Sequence, residues 1–309
     1  MINRGLTTCM SRVAVFTAAV SSISAGQFTL VEFAPTDLNG NFPGPPPVYG
    51  SVFGPATSTW SGSSMSTDGQ YIQMYSGSGT ASITTLRAAA NESVSCALSS
   101  CTPYALPFSA NAGGADYSPG ISTLAWWNDI ITVNPGPGFA SLNFVFNVDG
   151  TFSQSGSGSA SASLVGESCA ATETLCGGGP PATPRHITNL PITHNGLLTL
   201  NLQPWLIGQP FEYEFILAVS AATTPTTIGS QGSIQGNSAA STDFSNTAQL
   251  IAVNPVDSNR NLVTGTTITS ASGFALPGPT PEPSTFALLV AGLVFAALLN
   301  GRRSRGLRH

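Results

Sequence analysis

The chain of 309 residues contains no lysine, and only 7% of its residues are charged. Soluble cytosolic enzymes carry roughly 25% charged residues, so an ordinary cytosolic enzyme is a poor fit. A net charge of −5 excludes a basic nucleic-acid binder. The scarcity of charge also excludes a coiled coil, whose outer positions need charged side chains. Histidine is scarce too, with three in all: His186, His194 and the terminal His309. The body holds no phosphate loop, no dinucleotide-binding glycine fingerprint and no Gly-x-Ser-x-Gly nucleophile turn. What the chain has in excess is Ser and Thr, 72 together, beside 33 Gly and 23 Pro. Hydrophobic residues still make up 41%, enough to bury a core and too many for a disordered chain.

The few charges are unevenly placed. Residues 1–25 hold Arg4 and Arg12 and no acid; residues 285–309 hold Arg302, Arg303, Arg305 and Arg308 and no acid. Between them, three arginines face fourteen carboxylates. An acidic body between two basic ends is the pattern of a chain sorted across a membrane, because translocation keeps arginine on the cytoplasmic side. At the amino end, Arg4 and Arg12 precede the short apolar run Val13–Val20, followed by small residues through Ala25. This reads as a secretory signal peptide over residues 1–25, engaging the translocon and signal peptidase. At the carboxyl end, Pro281-Glu282-Pro283-Ser284 leads into an uncharged apolar run to Gly301, and then into the arginine tail. An all-round apolar helix of this length spans a bilayer, and the tail stops transfer. The expected topology is a body outside the cytoplasm, a transmembrane helix at 284–301 and a basic tail at 302–309.

The segment PEPSTFALLVAGLVFAALLNGRRSRG resembles the PEP-CTERM sorting signal of exported Gram-negative bacterial proteins. Its Pro-Glu-Pro motif (Pro281, Glu282, Pro283), apolar helix and Arg-rich end stand here in the family's order; Thr280 stands where many members have Val. The resemblance implies an exosortase as processing partner, transient anchoring in the inner membrane and delivery to the cell surface or exopolysaccharide matrix. It covers only residues 281–309 and implies nothing about the chemistry of the body. Two prolines hold the backbone extended and remove two N–H donors, which suits a protease cleft at the membrane face.

Between the ends, turn residues recur at short intervals and no stretch sustains helical periodicity. The expected fold is all-β: an antiparallel β-sandwich over residues 26–272, with a jelly roll among its arrangements. A Pro-rich stalk follows at 273–283. A division into two domains near 110–120 is the alternative. Strands are expected at 26–33, 70–75, 80–87, 124–133, 198–202, 211–219, 246–253 and 262–270. A hairpin is read at 141–155, turning on Asp149-Gly150, since Asp-Gly supplies the positive φ values of a two-residue turn. Asp149 is therefore a turn residue and not a metal ligand. Residues Gly156–Leu164 alternate Ser with Gly or Ala. Such a strand admits a close neighbour; the sharper reading is a hydroxyl-lined face for sugar or ice.

Four cysteines remain after signal removal, in two close pairs. Export to an oxidising compartment predicts the disulfides Cys96–Cys101 and Cys169–Cys176. A zinc site lacks the Cys-x-x-Cys spacing, and no metal or other cofactor is expected. Glu212 and Glu214 fall on one strand face, where paired carboxylates could hydrolyse glycosides; the favoured reading is a solvated outer face with no catalytic residue. Trp126 and Trp127 point to opposite faces of a strand, one in the core and one at the surface, where it could stack on a sugar. The expected role is structural or interactive, in the envelope or matrix, with exopolysaccharide the material it would meet. A carbohydrate- or ice-binding β module is the alternative.

Overall fold

The computed structural model describes residues 28–50, 54–109, 118–171, 186–228 and 231–278. The sorting motif Pro281–Ser284, the arginines Arg302, Arg303, Arg305 and Arg308, the expected transmembrane helix and the signal peptide lie outside these residues. Among the described residues no helix is long and apolar enough to cross a membrane.

Sixteen strands make up the described chain: β1 (Thr29–Thr36), β2 (Val48–Tyr49), β3 (Ala56–Met65), β4 (Tyr71–Ser82), β5 (Thr85–Cys96), β6 (Tyr104–Ser109), β7 (Gly120–Asn134) and β8 (Ser141–Ser155) come first. Then follow β9 (Gly158–Ala170), β10 (His186–Pro191), β11 (Gly196–Leu202), β12 (Pro210–Thr223), β13 (Thr226–Ile228), β14 (Gln231–Ile234), β15 (Ser238–Val256) and β16 (Thr267–Ser270). Every pairing is antiparallel. The first sheet runs β10-β9-β12-β7-β1-β2, with β16 also on β7; the second runs β11-β8-β15-β5-β4-β3; a small third sheet is β13-β14-β6. Within the two large sheets, β7-β12-β9-β10 and β5-β15-β8-β11 exchange the chain in the order of a jelly roll.

The expected all-β, antiparallel architecture is thus what the chain adopts. The local expectations were less accurate. Residues 141–155 form one continuous strand, not a hairpin, and Asp149-Gly150 is not a turn. A Cβ on Gly150 would stand 2.4 Å from the Phe244 ring, so this glycine admits the crossing of a neighbouring aromatic. The real reversal is Gly156-Ser157, where Gly156 takes φ +58°. Residues 80–87 likewise are not one strand, because the chain turns between β4 and β5 at Ile83-Thr84.

The inner faces of the two large sheets share one core, and its two halves are packed differently. In one, aromatic rings interlock: Phe144 lies 4.8 Å from Phe215 and 5.3 Å from Tyr213, and Trp127 lies 5.4 Å from Phe215. Such rings bury large areas and prefer these tilted contacts. In the other half Ala88, Ala90, Ala221 and Ala240 fill the space. There buried hydroxyls tie the layers together: Thr123 Oγ1 donates to the Ala89 carbonyl at 2.8 Å, and Thr242 Oγ1 to the Ser220 carbonyl at 2.6 Å. A Thr-rich chain can afford such a dry interface only because each hydroxyl finds an acceptor across it.

The carboxyl side of the described chain stays on the body. Strand β16 pairs with β7 over four residues. Ser270 and Ser272 donate to the Asp129 carboxylate, and Val253 N–H donates to the Pro277 carbonyl at 3.0 Å. The first residues of the expected stalk therefore run along the sandwich.

Candidate functional site

Alternation along each strand sends every second side chain away from the shared core. Two outer faces result, and they are chemically opposite.

On the second sheet, the registers of β3, β4, β5, β15 and β8 align their outward residues into rows. The central row is Ser61–Ser76–Asn91–Ser241–Ser153. Beside it run Thr59–Ser78–Ala89–Asp243–Thr151 and Ser63–Met74–Ser93–Ala239–Ser155. Adjacent strands stand about 4.8 Å apart, and successive outward residues on one strand about 6.7 Å apart, so the rows form a regular polar lattice. All five residues of the central row line a shallow depression of about 580 Å³. Ser241 Oγ donates to Asn91 Oδ1 at 2.7 Å. Hydroxyl and amide groups both donate and accept, without charge, and so match neutral hydroxylated ligands. The lattice carries Arg87 beyond one end and Asp243 in a flanking row, and neither belongs to the central row.

The strand expected at Gly156–Leu164 is β9 from Gly158 on, held between β10 and β12 as its small residues allow, and its serines do not form one open face. In β9, Ser159 and Ser161 are exposed but Ser163 is buried. Ser161 Oγ pairs with Ser220 Oγ of β12 at 2.7 Å. The broader lattice was missed because β3 was not read as a strand: its alternating partner residues are Ser, Gly and Trp60, not the aliphatic residues that mark a buried face.

On the first sheet, one part of the outward face of β7, β12, β9 and β1 is closed off from solvent, while Ser159 and Ser161 of the same face of β9 stay exposed. Phe28, Leu30, Leu124, Trp126, Val165 and Ile216 form a second apolar cluster there. Glu212 and Glu214 share this face as expected, but they are not solvated: both are 0% exposed, and Glu167 beside them is 6% exposed. Trp126 Nε1 donates to Glu214 Oε2 at 2.8 Å, and Asn128 Nδ2 donates to Glu212 Oε1 at 2.6 Å. Asn128 Oδ1 in turn accepts from the Phe28 backbone at 2.6 Å. Trp126 and Trp127 do point to opposite faces, yet both are buried, so the expected surface tryptophan is corrected. The reason is the same for the carboxylates and the indole: they satisfy each other, which makes burial of both tolerable. A carboxylate pair enclosed in this way does not present itself to a polysaccharide chain.

Between the layers sits one more carboxylate. Glu92 is 3% exposed. Thr223 Oγ1 lies 2.9 Å from both its oxygens and 2.6 Å from Ser238 Oγ. Burial pushes the Glu92 carboxyl up to about 7, against the opposing pull of hydrogen bonds from Thr223 and Gln73. Burial also raises Glu32, on the outer side of β1.

Cys96 and Cys101 form the expected disulfide, with Cα atoms 5.9 Å apart. Cys169 is buried and disulfide-bonded; its expected partner, Cys176, lies outside the described residues. His186 packs 5.8 Å from Trp205, and His194 meets Thr193. Among the described residues no three His, Cys, Asp or Glu side chains gather as a metal site would require. No family model matches the chain, and comparison with curated proteins finds no match.

Proposed function

We propose that this chain is an exported surface protein whose terminal segment is removed by an exosortase, and whose jelly-roll body is an interaction module of the cell envelope or exopolysaccharide matrix. Support for export and sorting lies in the sequence: the signal-like amino end, the Pro281-Glu282-Pro283 motif, the apolar run and the arginine tail. The one observation that carries the interaction role is the in-register row Ser61–Ser76–Asn91–Ser241–Ser153 on an open, nearly uncharged face. Such a lattice exchanges hydrogen bonds with water and with sugar hydroxyls on similar terms. Each contact is weak, and retention in a matrix comes from many contacts along a polymer. No catalytic residue is part of this reading.

Two measurements test it. Mass spectrometry of surface material is expected to find body peptides and none from Phe286–His309; an intact tail there defeats the sorting reading. Co-sedimentation with the organism's exopolysaccharide tests the face. Ser76→Trp, which fills the centre of the row, is expected to reduce retention several-fold with an unchanged melting curve. Equal retention of the variant and the parent defeats the interaction reading.

A further inference from the structure

The jelly roll has four sheet edges, and three are protected. Strand β2 is two residues long and follows Pro43, Pro45, Pro46 and Pro47. Strands β10 and β11 close on each other: Thr188 Oγ1 of β10 donates to the Asn201 carbonyl of β11 at 2.9 Å, and β10 ends in Pro191. Short edges, prolines and mutual cover are the usual defences against unwanted strand addition.

Strand β3 is the least protected of the four, with Pro55 just before it. It runs ten residues, Ala56-Thr-Ser-Thr-Trp-Ser-Gly-Ser-Ser-Met65, without a charge or a proline. It pairs with β4 through an unbroken register from Ala56↔Ala81 to Met65↔Ile72, with no bulge to twist the edge away. Among the described residues its second side pairs with no strand. Contacts from other elements include the stacking of the Phe33 ring 6.5 Å from Trp60 and, at its end, the Asn39 Nδ2 bond to the Met65 carbonyl at 2.9 Å and the meeting of Leu38 N–H with Ser64 Oγ. Its inward Trp60 is fixed by stacking 5.2 Å from Tyr75, so the edge is held straight and ready.

We infer that β3 is an assembly edge on which a second copy of this chain adds its own β3, antiparallel, joining two six-stranded sheets into one. A two-fold axis through Ser61 keeps the outer face of both copies on the same side. It sets Thr59 against Ser63 of the second copy and Thr57 against Met65, small or flexible side chains that fit across a pair. The ends are complementary in charge. Arg87 lies in the row of Thr57, and Asp68 lies in the turn just past Met65. Arg87 stands on β5, two strands in from the edge, so antiparallel pairing sets opposite and not like charges on the two sides of each end without bringing them into contact. The central hydroxyl row then continues across the junction, through Ser61 of one copy to Ser61 of the next.

The test uses the full chain purified in detergent, with its mass followed by analytical ultracentrifugation over a range of concentrations. A monomer–dimer equilibrium is expected. Ser61→Lys places like charges opposite each other at the axis and should weaken the dimer about tenfold. Ser61→Glu should do the same, while mixing the two variants should restore association. Thr199→Lys on the β11 edge should leave the dimer unchanged. Circular dichroism melts of each variant show whether the fold is retained. A single-chain mass at every concentration overturns the proposal. So does a dimer that ignores both Ser61 variants, or one abolished by Thr199→Lys.

Discussion

The two outer faces of the sandwich are built from the same strand alternation, yet one is wet and the other dry. On the second sheet the central outward row is Ser and Asn and lies open. On the first, the outward Glu212, Glu214, Trp126 and Asn128 are sealed. Alternation decides which residues share a face; it does not decide whether that face meets water. A run such as Phe211-Glu212-Tyr213-Glu214-Phe215 looks half-solvated in sequence. Its glutamates are in fact hydrogen-bonded partners of an indole and a carboxamide on the adjacent strand.

The contrast can be broken by substitution, and the largest effect belongs to the dry face. Trp126→Ala removes the packing against Phe28, 6.2 Å away, and the donor to Glu214. A loss of about 3–5 kcal/mol is expected in urea unfolding; a loss below about 1 kcal/mol would mean that the face is not packed as described. Next comes pH, which acts between the faces at Glu92. Its folded pKa of about 7 lies above the ordinary carboxylate value, so the folded state binds the proton more tightly. The stabilisation is complete below the unfolded pKa and disappears as pH rises through about 7. The protein is expected to lose on the order of 3 kcal/mol between pH 4.5 and 8, and Glu92→Gln should flatten most of that slope in denaturant titrations at several pH values.

A smaller change is expected for Glu214→Gln, which keeps the shape but puts an amide donor where a carboxyl oxygen stood beside Trp126. About 1–3 kcal/mol should be lost, and indole fluorescence should report the altered surroundings. The smallest effect belongs to the wet face. Ser76→Ala and Asn91→Ala should each change stability by less than about 0.5 kcal/mol. If either costs as much as Glu214→Gln, the two faces are energetically alike and the comparison fails.

Much of this fold was legible from residue patterns. Strands β1, β11 and β12 are aliphatic or aromatic at every second position, and the Cys96–Cys101 pair followed from proximity and compartment. The errors have specific causes. Asp149-Gly150 carries turn chemistry, but its glycine makes room for Phe244, a contact from a strand about a hundred residues away. The turn between β4 and β5 carries no glycine; Thr84 itself takes φ +70°. Strand β3 was invisible because its inward side is made of Ala56, Ser, Gly and one Trp. The hydroxyl lattice was illegible for a related reason: it exists only once five strands are brought into register.

Strand β16 and residues 271–277 give the molecule a defined path for mechanical load. A pull on the chain beyond Pro277 first meets the Val253–Pro277 hydrogen bond, then the grip of Ser270 and Ser272 on Asp129, then the short ladder of β16 on β7. Once these yield, the pull passes to the Val256–Leu262 bridge and then to the ladders of β15, which is paired along both sides in the middle of its sheet. A small early rupture followed by a much larger one is the expected force-extension trace. In that order the short terminal ladder would open before the sheets bearing the polar lattice.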